Sequence, residues 1–476
     1  MFIDILQAVP ASGKTKTIMR HVTKSKKKTL IASISCDLNL QSYEWYINNG
    51  GYGAIIIDSE HVTKSETVCD VIKQRLRDNE HRVFFITHSA LIKIDDYSIF
   101  EGFELFIDEV PDLIELKHMK FVDHIHLVTD YTIEENGMLR IDNSKKNEVI
   151  RKYYDAMDNR DTVSVALIDF YRALINNEII IRRKDEIYFI SDQARKNWEA
   201  FSNITIACCE YDNTFTGTIM RECYNWKSTR SKLTDKLDFA EYKNTQRINI
   251  HPLLRNNDWS KYYADSVVSD NKSVYSIIKE HVIDFFGNIP FIYSTNSYRG
   301  NLNSIFANRV GYNPHGMNNF MSYSNAAALF SYNPSPWQRN LLKHLSLAMK
   351  LDENKLLECF VEDKYLMPIF QFVTRTDIRN YHSERQINLI VPDMRAANYL
   401  RRYFKNAVID TSYCLDIEIE KQNNKSTTFP ALFNMTGEEK VKFAYFKRKN
   451  NLKKLSVNNK DDVDIVRNFI NTIRFI

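Results

Sequence analysis

The chain has 476 residues, which suggests about three domains at roughly 150 residues each and allows a full buried core. Hydrophobic residues make up 44% and charged residues 26%, an ordinary balance for a soluble globular protein. With 64 Lys and Arg against 60 Asp and Glu, the net charge of +4 is compatible with a nucleic-acid partner but does not argue for one, because local patches matter more than the sum.

The 7 cysteines form no Cys-x2-Cys pair, and Cys208 and Cys209 are adjacent, so a zinc ribbon is not expected. The odd count without a pairing framework suits a reducing cytosol. No apolar run approaches the ~20 residues that cross a bilayer, and the N-terminus lacks a signal-like layout. A cytoplasmic protein without a membrane partner is expected, in the host cytoplasm if it is viral.

In chain order, Phe2 to Val9 reads as a short apolar strand, followed by Pro10-Ala11-Ser12-Gly13-Lys14-Thr15 and a helical stretch to about Val22. Strand, tight loop and helix are the context that a phosphate-binding loop requires. Backbone N–H groups of Ala11, Ser12 and Gly13 and of the helix start can cradle phosphates. Lys14 can reach the outer phosphates, and the Thr15 hydroxyl can ligate Mg2+. The usual pattern begins with Gly where Ala8 stands here. A basic run, Lys24 to Lys28, reads as a solvated helix end before the strand Thr29 to Ile34. Further strands are predicted at Val83 to Thr87, leading into His88-Ser89-Ala90-Leu91, and at Phe103 to Ile107, ending in Asp108-Glu109. Apolar strands separated by helical stretches predict a parallel α/β sheet, whose ligands bind beyond the C-terminal strand ends. Asp108 is then expected to hold Mg2+, and Glu109 to orient and activate an attacking water.

These residues resemble the DExD/H-like helicases of superfamily 2, and more closely the divergent helicase-like proteins of bacteriophages. Ala8 to Thr15 is similar to their motif I, Ala32 to Ser35 to motif Ia, and Asp108-Glu109-Val110-Pro111 to motif II. Asn203 to Cys209, with a helix expected after Asp212, stands where the third motif belongs. Its distance from Asp108 implies an insertion at about 135–195, with strands at Glu178 to Ile181 and Ile187 to Ile190. Phe291 to Asn296 is placed like motif IV. His315 to Phe320 before the strand Ala326 to Ser331 resembles the motif V region. Gln371 and Arg375 match motif VI. Its second arginine belongs at Ile378, but Arg379 follows one residue later. On a continuous helix, Gln371, Arg375 and Arg379 share one face. An arginine from a facing domain can stabilise charge on a transferring phosphoryl group.

The resemblance implies an α/β fold of tandem RecA-like domains. The expected layout is a first domain at 1–240 with its insertion, a connector at 241–275, a second domain at 276–408 and a small basic domain at 409–476. Trp259, Tyr262 and Tyr263 near the connector fill a core or pack between domains. A strand is expected at Tyr413 to Ile419. In the tail, Lys440, Lys442, Lys447, Arg448, Lys449, Lys453 and Lys454 interleave with Phe443, Tyr445 and Phe446. That pattern suits phosphate contacts with base stacking, or else a merely solvated basic surface.

The implied activity is ATP- and Mg2+-dependent movement along DNA or its unwinding. Single-stranded or forked DNA is the partner, RNA the alternative, and replication or recombination proteins further partners of a monomer. The alternatives are a remodelling motor that separates no strands, and a nucleic-acid-binding scaffold with a decayed nucleotide site.

Overall fold

The computed structural model describes residues 1–476 except 64–65, 122–123, 160–161, 195–197, 269–271, 312–318, 381, 416, 418, 420–428, 434, 451, 453–454, 456–459 and 475–476. It divides into two compact units, residues 1–265 with 274–416, and residues 266–273 with 417–476.

The larger unit holds two parallel sheets. The N-terminal half supplies β1 (Phe2–Gln7), β2 (Thr29–Ser33), β3 (Ala54–Ile56), β4 (Val83–Thr87) and β5 (Glu104–Asp108). The chain then leaves this sheet for β6 (Ile114–Lys120), β7 (Thr132–Glu135), β8 (Met138–Ile141), β9 (Ile180–Arg183) and β10 (Glu186–Asp192). It returns with β11 (Asn203–Cys208) and β12 (Lys227–Arg230). The first sheet has the order β12-β1-β11-β5-β2-β4-β3, and all its pairings are parallel. β2 and β5 are buried along their whole length, as central strands of a parallel sheet covered on both faces must be.

The departure from the first sheet is longer than the expected insertion at 135–195. β6, well before residue 135, pairs antiparallel with β10, and β10 with β9. Two helices, Lys146–Asn159 and Thr162–Ile175, accompany this small sheet.

The second sheet comprises β13 (Ile248–Leu254), β14 (Phe291–Thr295), β15 (Ala307–Arg309), β16 (Asn325–Leu329), β17 (Ile387–Asp393) and β18 (Val408–Ile409). Its order is β15-β14-β16-β17-β13-β18, again parallel throughout. The stretch read as a connector, 241–275, therefore carries a strand of this sheet. Trp259 and Tyr263 are buried, while Tyr262 is exposed. The motif V-like residues 315–318 lie outside the described residues. Both sheets are of the RecA-like kind, so the larger unit is a tandem RecA-like α/β structure.

The smaller unit packs the helices Phe429–Leu432, Gly437–Lys449 and Lys460–Arg474 around Phe429, Met435, Phe443, Val466 and Ile470. The aromatics interleaved with its lysines mostly serve this core. Phe443 is buried and Phe446 stacks on Phe469, leaving Tyr445 exposed. The described residues of 413–419 form no strand. Among the described residues, no helix is long and apolar enough to cross a membrane.

Candidate active site

Strand register brings the predicted motifs together. Gln7 of β1 pairs with Cys208 of β11, and Ala207 of β11 pairs with Asp108 of β5. The C-terminal ends of the three strands therefore open on one edge, where ligands of parallel α/β sheets bind. After β1 the chain turns through Ala11 and Gly13, both in the left-handed region at φ 65° and 83°. Glycine adopts that conformation without penalty; Ala11 does not. The turn starts the helix Lys14–Lys24, whose N-cap is Gly13 and has no side-chain cap. Its first-turn N–H groups have no partner within the helix, and a helix start of this kind suits an anion.

Lys14 is buried, and its Nζ donates to the carbonyl oxygens of Ala8 at 2.8 Å and Val9 at 3.2 Å. Thr15 Oγ1 donates to Asp108 Oδ2 at 2.7 Å. Ser12 Oγ is buried with no hydrogen-bond partner among the described residues. Glu109 takes φ 73°, a strained value for a glutamate, held by its N–H donating to Ala207 O at 2.7 Å. Burial pushes the Asp108 carboxyl up, against the Thr15 hydrogen bond and the charges of Lys14 and Arg375. Burial also pushes Glu109 up to about 7, with the Asp108 charge adding and Lys14 and Arg375 opposing.

The second sheet supplies the arginines, though not from one helix face. The helix Met367–Val373 carries Gln371 and stops before Arg375. The Thr374 hydroxyl takes the last-turn carbonyls of Phe370 and Gln371, at 2.9 and 3.0 Å. Asp377 is drawn away: its N–H donates to Tyr323 O, and its carboxylate receives Arg247 and Arg385, each at 2.7 Å. Arg375 thus follows the helix end and Arg379 sits in the 3-10 turn Asp377–Arg379. Both nevertheless line one cleft of about 490 Å³ with Gln371, Lys14, Thr15, Asp108 and Glu109. Arg379 Nε donates to Thr374 O at 2.8 Å. Burial and the Arg379 charge push Arg375 down to about 9, with Glu109, Tyr242 and Asp108 opposing, so it stays charged at neutral pH.

Two further residues of this site carried no signal in the sequence. Asp238 lines the cleft, its N–H donates to Ser12 O at 3.1 Å, and a side chain at Gly13 would meet its carboxylate at 2.7 Å. Tyr242 donates from its hydroxyl to Pro10 O at 2.7 Å and packs on Phe370 and Phe404. Both lie where the chain crosses from one sheet to the other.

The donor set fits a nucleotide with a hard divalent cation. Thr15 and Asp108 offer oxygen donors, and such a cation takes few protein ligands when phosphates supply the rest. Lys14, Arg375 and Arg379 match polyphosphate charge.

No family model matches the chain, and no curated protein matches it. Among solved structures it is similar to S. tokodaii Xpd4, at 13% identity and a TM-score of 0.51, over 86% of this chain and 96% of that one. More distant likenesses are to RecG bound to a three-way DNA junction (10% identity, TM-score 0.31, 85% of this chain and 42% of that one) and to an arterivirus nonstructural protein 10 helicase (8%, 0.24, 84% and 61%). At such identity the Xpd4 likeness speaks for the fold alone. The fold is a tandem of two RecA-like parallel sheets whose residues line one cleft.

Proposed function

We propose that the chain is a nucleic-acid-stimulated ATP hydrolase that moves along or unwinds DNA. One observation carries this reading: carboxylates from the first sheet and arginines from the second line the same cleft. Hydrolysis would then be sensitive to how the two sheets are held, as a motor needs.

In this reading Lys14 leaves the Ala8 and Val9 carbonyls to bind the outer phosphates. Thr15 and Asp108 hold Mg2+, which when bound neutralises phosphate charge and orients the polyphosphate. Glu109 orients the attacking water and accepts its proton; a carboxyl raised to about 7 is near the basicity that general-base work at neutral pH favours. Arg375 stabilises the charge that develops on the transferring group, and Arg379 braces it. Gln371 contacts the water or the outermost phosphate from the opposite wall.

ATP hydrolysis measured without nucleic acid and with single-stranded DNA, single-stranded RNA or duplex tests the reading. Stimulation by single-stranded or forked DNA is expected. Hydrolysis indifferent to every nucleic acid contradicts a motor role.

A further inference from the structure

Glu109 and Gln371 each line two cavities. One is the cleft just described; the other, of about 470 Å³, is also lined by Asp112 and Lys364. Lys364 forms an ion pair with Asp112, and its Nζ is also 3.6 Å from the Asp363 carboxylate.

This pair joins two segments that matter to the cleft. Asp112 follows Glu109 by way of Val110 and Pro111. Pro111 fixes its own φ, and Leu113 N–H closes a turn on Pro111 O at 3.0 Å, so the segment is stiff. Lys364 sits in the π-helical turn Glu362–Leu366, which runs directly into the helix Met367–Val373 bearing Gln371 and leading to Arg375. Single π-turns inside helices commonly mark functional positions, because they displace side chains from the regular helical path. The Lys364 side chain is 30% exposed, that of Asp112 57% and that of Asp363 15%. Lys364 is the better-buried partner and is flanked by two carboxylates, while Asp112 is open to solvent, so the pair contributes little to stability and its consequence lies in where it holds Asp112. Glu109 itself is in a strained left-handed conformation, which persists only where surrounding contacts over-determine it.

We propose that the Asp112–Lys364 ion pair is a positioning contact that fixes Glu109 when the two sheets close on a nucleotide. The proposal rests on the hydrolase reading above. Neither residue touches the nucleotide. Lys364 reports the position of the second sheet to the stiff segment that carries Glu109, so that Glu109 reaches its working position only when Arg375 is also in place.

The test uses the full chain with Asp112→Asn, Lys364→Gln and the double variant, measuring steady-state ATP turnover, nucleotide affinity and melting temperature on each. Each single change should lower kcat about ten- to a hundredfold, the cost of a small misplacement of a catalytic group. KM for ATP and melting temperature should barely move. The double variant should be no slower than the worse single one, since both remove the same ion pair. Additive losses, losses that follow melting temperature, or unchanged kcat overturn the positioning role while leaving the hydrolase reading intact. A wild-type chain that hydrolyses no nucleotide overturns the hydrolase reading and the positioning role with it.

Discussion

Thr15 Oγ1 donates a 2.7 Å hydrogen bond to Asp108 Oδ2 across 93 residues of sequence, joining the start of the first helix to the end of β5. The two oxygens that would share a divalent cation are thus already held together by the protein. Asp108→Asn keeps the size and removes the charge. It should raise the Mg2+ concentration needed for half-maximal turnover and lower turnover about a hundredfold, the scale of losing a principal charge-stabilising group. A Mg2+ titration of activity checks this, and chelation should silence the wild type.

Lys14→Ala should abolish turnover, because it removes the buried cation proposed to bind the outer phosphates. The same change leaves the Ala8 and Val9 carbonyls without their donor. Stability should fall by about 1–2 kcal/mol, as for buried acceptors deprived of a charged partner. Turnover and chemical denaturation on one preparation separate the two effects.

Glu109 governs the expected pH dependence. Its folded-state carboxyl is raised to about 7, mainly by burial, so at lower pH it is protonated and cannot accept a proton from water. The groups that bear on it are Lys14, Asp108 and Arg375. kcat/KM, which reports the free protein, should therefore rise with pH through about 7. Glu109→Gln should remove that limb and leave nucleotide binding largely intact. A pH profile of the wild type that is flat between about 5 and 8 counts against the role.

Arg375→Ala and Arg379→Ala should each reduce nucleic-acid-stimulated turnover. For Arg375 the loss should be about a thousandfold, on the scale of arginine fingers, with nucleotide affinity falling far less. Arg379 also holds Thr374 O, so its removal should cost less in turnover and more in stability. Lysine at 375 should not restore activity, since it lacks the planar fork. Full stimulated turnover in either variant removes that arginine from the catalytic group.

In the smaller unit, Lys447, Arg448 and Lys449 occupy the last turn of the helix Gly437–Lys449, with Lys447 lying over the Phe443 ring. If they bind phosphates, neutralising all three should flatten the log–log salt dependence of single-strand binding by ~0.7 for each phosphate that then keeps its counterion. Unchanged affinity and slope would make the run a solvated surface.

The strand, turn and helix from Phe2 to Lys24 and the strand-end position of Asp108 and Glu109 were legible in the sequence because their signals are local. A turn that needs Gly13 and a carboxylate pair at a strand end announce themselves within a few residues. Three things were not. The strand Ile248–Leu254 was hidden by Pro252, which ordinarily argues against a central strand. Here β18 pairs only with Asn249 and Ile250, so the N–H that Pro252 lacks would face a side where the ladder has ended. The spacing of Gln371, Arg375 and Arg379 suggested one helix face, but Thr374 and the buried Asp377 cluster end the helix. The side chains converge on the cleft through the tertiary fold instead. Asp238 and Tyr242 carried no motif at all, because their place against the turn at Pro10 to Gly13 depends on where the crossing chain is laid.

The most direct test of the two-sheet cleft is ATP turnover and nucleotide affinity measured together on the wild type, Glu109→Gln and Arg375→Ala, with and without single-stranded DNA. The account predicts stimulated turnover in the wild type. In both variants it predicts loss of turnover with nucleotide still bound, although one residue belongs to each sheet. Retained turnover in Arg375→Ala beside its loss in Glu109→Gln would contradict it, placing the chemistry on the first sheet alone.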